Sequence, residues 1–283
     1  MIQLEDLPEL RDPIMIAAFE GWNDAGETAS ATLAHVIRSW EAEPVAALDP
    51  EDYYDFQVTR PRAVFDSDGH RALRWPTTRI LIAQNTPLER DVIFVQGIEP
   101  SMRWMTFYGE LLDLAKDLEV SLLITLGGLL ADVPHTRPIP VTITSEHPET
   151  RLRFDLHASQ YEGPTGIIGV LVDAAHEAGI ATMSVWAAVP HYAGGSPSPK
   201  ATLALLTRLE EVLDTIIGHD DLPEQARAWE HGVDELAQSD DEVAEYVQTL
   251  EEAQDTTELP EASGDAIARE FERYLRRRDD DPQ

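Results

Sequence analysis

The chain has no cysteine in its 283 residues, which excludes disulfides, thiolate metal sites and cysteine nucleophiles. That composition fits a reducing cytoplasm. Lysine is almost as scarce, present only at Lys116 and Lys200. Phosphate-handling sites commonly use a lysine point charge, so the scarcity weighs against them. Basic residues as a whole are few, with 21 Lys and Arg facing 53 Asp and Glu for a net charge of −32. Nucleic-acid binding and attraction to anionic membranes both rest on basic surface, and both are disfavoured. No apolar run approaches the roughly 20 residues of a membrane span. The opening Met1-Ile2-Gln3-Leu4-Glu5-Asp6 lacks the basic and apolar regions of a secretory signal. The expectation is a cytoplasmic protein with no nucleic-acid or membrane partner.

Reaction motifs are missing too. There is no G-x-x-x-x-G-K-[ST], no G-x-G-x-x-G after a strand, no G-x-S-x-G and no H-E-x-x-H. The nine histidines do not cluster at ligand spacing, and no metal or cofactor is expected. Ser184 falls mid-strand, and Ser196, near His191, suits turn chemistry better than catalysis. Gly163-Pro164-Thr165-Gly166 at a helix start could hold an anion, or could be a capped helix whose glycines allow close packing.

What is present is a strand–helix alternation with two unusual loops. Apolar runs suited to buried strands occur at 13–19, 44–48, 79–83, 91–95, 120–126, 141–144 and 180–187, and 62–66 with 72–75 reads as a β-hairpin. Helical stripes follow, with Ala25, Ala29, Leu33, Val36, Ile37 and Trp40 on one face. Trp104, Tyr108, Leu111, Leu112 and Ala115 lie on another, and Leu205, Leu206, Leu209, Val212, Leu213 and Ile216 on a third. Asp24 with Glu27 reads as a capping box, Ser101 and Ser198 as N-caps, Gly179 as a C′ residue and Gly218 as a helix stop. The alternation predicts an α/β fold with a largely parallel sheet covered on both faces.

Residues 219–283 carry 21 acidic and 6 basic residues, a net of −15. Three amphipathic patterns there, around Trp229/Val233/Leu236, Val243/Val247/Leu250 and Ile267/Phe271/Leu275, predict a helical appendage. Asp279–Gln283 reads as disordered. The two loops, Glu20–Gly26 and Gly127–Pro138, each follow a buried run, as loops do where open α/β sheets build sites at their carboxyl edge. Candidate residues there for ligand binding or an interface are Glu20, Trp22, Asn23, Asp24, Glu99, Arg103, Asp132, His135, Arg137, His191 and Tyr192. Glu20 and Asp24 could pair for acid–base work, although Asp24 has a sufficient role as a helix cap. Arg137 and Arg103 are the expected anion contacts. No set forms a complete catalytic constellation.

Several stretches resemble the PAC2 family, the proteasome assembly chaperone 2-like proteins, in its actinobacterial branch. They are Phe19–Ser30 (FEGWNDAGETAS), Gly97–Trp104 (GIEPSMRW) and Gly127–Pro138 (GGLLADVPHTRP), together with Gly163–Leu171, Ser184–Tyr192 and Glu270–Arg276. The resemblance implies a three-layer α/β/α sandwich of phosphorylase/hydrolase-like type over residues 1–218, with 219–283 as a helical extension. It also implies a non-enzymatic assembly or interaction protein, self-associating as a homo-oligomer, plausibly a trimer, with proteasome subunits as partners. Some relatives carry a C-terminal hydrophobic-Tyr-any docking tail. This sequence ends Asp280-Asp281-Pro282-Gln283, so that motif is not expected to operate. The alternative is a small-molecule-binding protein or enzyme, carboligase- or hydrolase-like, using the carboxyl-edge loops.

Overall fold

The computed structural model describes residues 7–258 apart from Ser67, Asn85 and Ser196. The helical pattern around Ile267, the stretch Glu270–Arg276 and the tail 279–283 lie outside the described residues. A seven-stranded sheet runs in the order β2 (Glu43–Ala47), β5 (Arg79–Ala83), β6 (Val92–Ile98), β1 (Ile14–Glu20), β7 (Leu122–Ala131), β9 (Thr182–Pro190), β8 (Val141–Thr144). The four central strands are parallel, and the parallel expectation holds there. β2, β5 and β8 are antiparallel to their neighbours. For β5 the reason is connection length: the few residues joining it to β6 cannot make the crossover that parallel pairing requires.

The strict alternation of β1 builds three layers. Ile14, Ile16 and Ala18 point to one core with α1 (Thr28–Ser39) and α6 (Pro199–Leu213), through Leu33, Val36, Leu205 and Leu209. Met15, Ala17 and Phe19 point to the opposite core with α3 (Trp104–Asp117) and α5 (Ile167–Glu177), through Phe107, Leu111, Ile168 and Leu171. Full burial of each such side chain contributes about 1.5–3 kcal/mol. The fold is an α/β sandwich, and every predicted strand is present with ends shifted by a few residues.

Three end signals misled. The third helix begins at Trp104 rather than Ser101, because Arg103 takes φ +57° and the Ser101 N–H donates to the Tyr53 carbonyl. Ser198 does occupy the N-cap position before Pro199, but its hydroxyl caps nothing. α6 stops at Leu213, where Asp214 turns left-handed, ahead of Gly218. Two short helices, α2 (Pro50–Tyr53) and α4 (Pro148–Phe154), carried too few turns to show a period. β3 (Arg62–Phe65) and β4 (Arg71–Arg74) form the expected hairpin as a separate two-stranded sheet. Beyond the core, α7 (Leu222–Gln238) and α8 (Asp241–Glu258) realise the first two patterns of the acidic region.

Candidate functional site at the carboxyl edge

The central parallel strands end in the two loops, which touch directly: the Gly128 N–H donates to the Asn23 carbonyl at 2.8 Å. Gly127 is required because a Cβ would fall 2.4 Å from the Trp186 ring on β9. The second loop is strand through Ala131, so the turn proper starts at Asp132.

The first loop turns inward. Asp24 is buried and its Oδ1 accepts from the Ala29 N–H at 2.7 Å and the Ser30 N–H at 3.1 Å. This replaces the expected capping box. A single turn of 3-10 helix at Ala25–Glu27 precedes α1, and Glu27 sits left-handed at its N-cap with no side-chain bond. Burial raises the Asp24 carboxyl above its ordinary value despite those hydrogen bonds. Desolvation, then the nearby Asp24 charge, also raise Glu20, against the pull of Arg62 and Arg79. Glu99 Oε1 accepts from Asn23 Nδ2 at 3.2 Å and from the Ile167 N–H at 2.8 Å. The anion at the N-terminus of α5 is thus the protein's own carboxylate. Gly166 lets Asn23 lie against it, since a Cβ there would collide with the Asn23 amide.

The second loop turns outward, to α7 and α8. His135 is 1% exposed. Its backbone N–H donates to the Tyr192 hydroxyl at 2.7 Å, and its Nδ1 lies 2.7 Å from the same oxygen. Asp234 Oδ1, 3.0 Å from Nε2, can only accept, so Nε2 carries the N–H and in the neutral ring the Tyr192 hydroxyl donates to the bare Nδ1. Desolvation pushes the Tyr192 hydroxyl up to about 12. Arg137 grips Asp255 with two bonds of 2.8 and 2.9 Å and reaches Glu251 at 3.2 Å. Hydrogen bonding from Arg137 lowers the Asp255 carboxyl. Asp132 accepts from the Tyr246 hydroxyl at 3.0 Å and lies 3.4 Å from His191 Nδ1. Lys200 binds Glu230 at 2.6 Å and the His135 carbonyl.

The candidate residues therefore divide. Glu20, Asn23, Asp24 and Glu99 gather at the first loop, and Asp132, His135, Arg137, His191 and Tyr192 gather beside α7 and α8, with Asp132 and His191 exposed at the margin. Arg103 joins neither: it pairs with Asp52 and lies 5.7 Å over the Tyr53 ring. Trp22 is 61% exposed at the edge, where Leu129, Leu130, Met102 and Met105 are exposed as well. Sequence reasoning missed Glu230, Asp234, Tyr246, Glu251 and Asp255. The signal was there: Glu230/Asp234 and Glu251/Asp255 are each four apart, a carboxylate pair on one face of each helix, available to Arg137 and Lys200. Among the described residues no group of three or more His, Asp and Glu could hold a metal, and no helix is long and apolar enough to cross a membrane. A shallow cleft of about 290 Å³, lined by Glu9, Arg11, Gln84 and Asp91, lies at the opposite edge of the sheet.

The sequence model of the PAC2 family matches residues 18–237. The chain belongs to the PAC2 family. Its matched span takes in both loops, Glu99 and α7. A PAC2 family protein from Streptomyces avermitilis is 54% identical, with 83% of this chain and 100% of that one covered and a TM-score of 0.78. A proteasome-assembly chaperone homologue from Mycobacterium tuberculosis is 48% identical over 83% of this chain and 99% of that one, TM-score 0.74. An archaeal proteasome activator from Pyrococcus furiosus, 18% identical, shares the fold over 83% of this chain and 98% of that one, TM-score 0.66. No match was found among curated proteins.

Proposed function

We propose that this PAC2 protein is a non-enzymatic assembly or interaction factor, acting as a cytoplasmic homo-oligomer, plausibly a trimer, with proteasome subunits as its partners. One observation carries the reading: many of the edge's polar groups are spent on the protein itself, while its large apolar side chains are not. Glu99 and Asp24 serve helix N-termini. His135, Arg137 and Lys200 serve α7 and α8. Trp22, Leu129 and Leu130 face solvent. An edge of that kind suits a protein partner, since exposed aromatic and aliphatic anchors dominate interfaces. The relative from M. tuberculosis, a proteasome-assembly chaperone homologue, supports the choice of partner.

The test is capture of proteasome α-subunits, or their precursors, by the full chain at micromolar concentration. Capture by the wild type with loss in a Trp22→Ser/Leu130→Ser variant is expected. Absence of capture for every subunit overturns the partner assignment. The raised carboxylates Glu20 and Asp24 favour a second reading, small-molecule binding at the first loop. A thermal shift with nucleotides, amino acids or divalent metals that vanishes in Glu20→Gln would establish it.

A further inference from the structure

Residues 60–75 carry Arg60, Arg62, Arg71 and Arg74 against Asp66 and Asp68, a net of +2 in a chain of −32. This basic segment is the β3–β4 hairpin. Its strands bond to each other and not to the central sheet, with Ala63 opposite Leu73 and Phe65 opposite Arg71. Phe65 is 75% exposed and Leu73 51%, and Trp75 beside them is exposed. Among the described residues none of the four guanidinium groups makes a hydrogen bond or ion pair, and Arg62 acts only at longer range, on Glu20. A two-stranded hairpin is marginal on its own. One that presents an aromatic, a leucine and unpaired guanidiniums has the composition of an interface. It leaves the molecule between β2 and β5, at one end of the sheet.

The complementary surface is on α7 and α8, which pack on α6 and on the loop after β7. Residues 219–258 hold fourteen acidic residues and one arginine. Those facing the core are taken by His135, Arg137 and Lys200. On the outside, Asp241, Glu242 and Glu245 are exposed with no side-chain partner among the described residues, and Leu236 is exposed nearby.

We propose that the β3–β4 hairpin of one copy docks on the outer surface of α7 and α8 of a second copy. Its arginines meet the carboxylates of Asp241, Glu242 and Glu245, and Phe65 and Leu73 cover Leu236. The inference rests on the homo-oligomer reading above and gives it an interface. The two surfaces differ, and the contact is head-to-tail, a hairpin of one copy against α7 and α8 of the next. Each copy gives its hairpin to one neighbour and receives that of another, a contact that makes a ring where the rotation between copies closes. A second copy is the fitting occupant because every molecule brings both halves, and the contact joins opposite charges on a chain whose net charge otherwise opposes association.

The test is the mass of the full chain by analytical ultracentrifugation at about 100 mM salt. Arg71→Glu/Arg74→Glu and, separately, Asp241→Arg/Glu242→Arg should each weaken self-association about tenfold or more, with circular dichroism and melting unchanged. Phe65→Ser, which leaves every charge in place, should do the same. Combining both charge sets in one chain restores complementarity and the net charge, and should return the wild-type mass. An oligomeric wild type whose mass survives every variant, or a combined variant that stays dissociated, overturns this interface and leaves the proposed function standing. A monomeric wild type overturns the homo-oligomer reading itself. Loss of α-subunit capture without loss of self-association assigns the hairpin to a foreign partner and overturns the inference.

Discussion

The two signature loops start from adjacent parallel strands and share a sequence character, yet their side chains are used in different ways. At the first, carboxylates answer backbone N–H groups at helix starts: Asp24 of the loop holds the start of α1, and Glu99, beside it after β6, holds the start of α5. In the second, side chains answer side chains about a hundred residues away, as His135 does with Asp234 and Arg137 with Asp255. A backbone donor near a helix start is fixed by the helix itself, so a carboxylate opposite it is readily satisfied. A side-chain partner on a separate helix must be brought in by packing, and the bond lasts only while that helix stays docked. Polar loops of similar composition thus set the sheet's helices in one case and hold an appendage in the other.

The largest effect should come from the first loop. Asp24→Ala leaves the Ala29 and Ser30 N–H groups without their acceptor, and a loss of about 2–3 kcal/mol is expected from chemical denaturation. Asp24→Asn keeps an acceptor oxygen and drops the buried charge, so it should recover most of that loss. His135→Ala should be next, at about 1–2 kcal/mol, since it removes the ring nitrogen that the Tyr192 hydroxyl bonds and frees Asp234. Its distinguishing mark is that α7 and α8 lose hydrogen-exchange protection before the sheet does.

Acid should separate the loops by sign. A carboxyl raised in the fold, as Asp24 and Glu20 are, holds its proton more tightly when folded. Its penalty is present above the folded value and fades as pH falls toward the unfolded value near 4. Asp255 is lowered by Arg137, so its contribution is present above the unfolded value and lost as pH falls through the folded one. Between pH 7 and 4, exchange at Ala29 and Ser30 should therefore slow or hold while α8 keeps its protection, and α8 should loosen only as pH falls below about 4. Asp24→Asn should abolish the first response and leave the second. The smallest effect is Arg137→Ala: no measurable change in global melting, but faster proteolysis within α8, with the difference from wild type vanishing at about 1 M salt.

Much of this could be read from the residues. The unbroken apolar run of Ile14–Phe19 marked a strand buried on both faces, and the stripe along α1 was seen through Ala29, Leu33, Val36 and Trp40 but not through its buried Thr28, Thr32 and His35. The role of Asp24 as a helix cap was visible, although the intervening 3-10 turn moved its targets to Ala29 and Ser30. The antiparallel pairing of β5 with β6 had a signal in the short connection between Ala83 and Val92 that went unused, whereas the runs of β2 and β8 look the same in either direction. Nor was the split of the candidate residues: Arg137 was expected to wait for an anion, and its anions were Glu251 and Asp255 of the same chain. Opposite charges at helical spacing pointed that way, but pairing across more than a hundred residues is decided by packing, which local pattern does not encode.

The bond from Arg137 to Asp255 spans 118 residues. At a synthesis rate of about 5–20 residues per second, the second loop leaves the ribosome and then waits on the order of ten seconds for the helices that clasp it. During that interval the sheet around it can already close, while His135, Arg137 and Lys200 stand without their carboxylates. A clasped loop is therefore a timestamp: it distinguishes a chain whose α7 and α8 have emerged from a nascent one, and nothing that grips the clasped form can engage the protein too early.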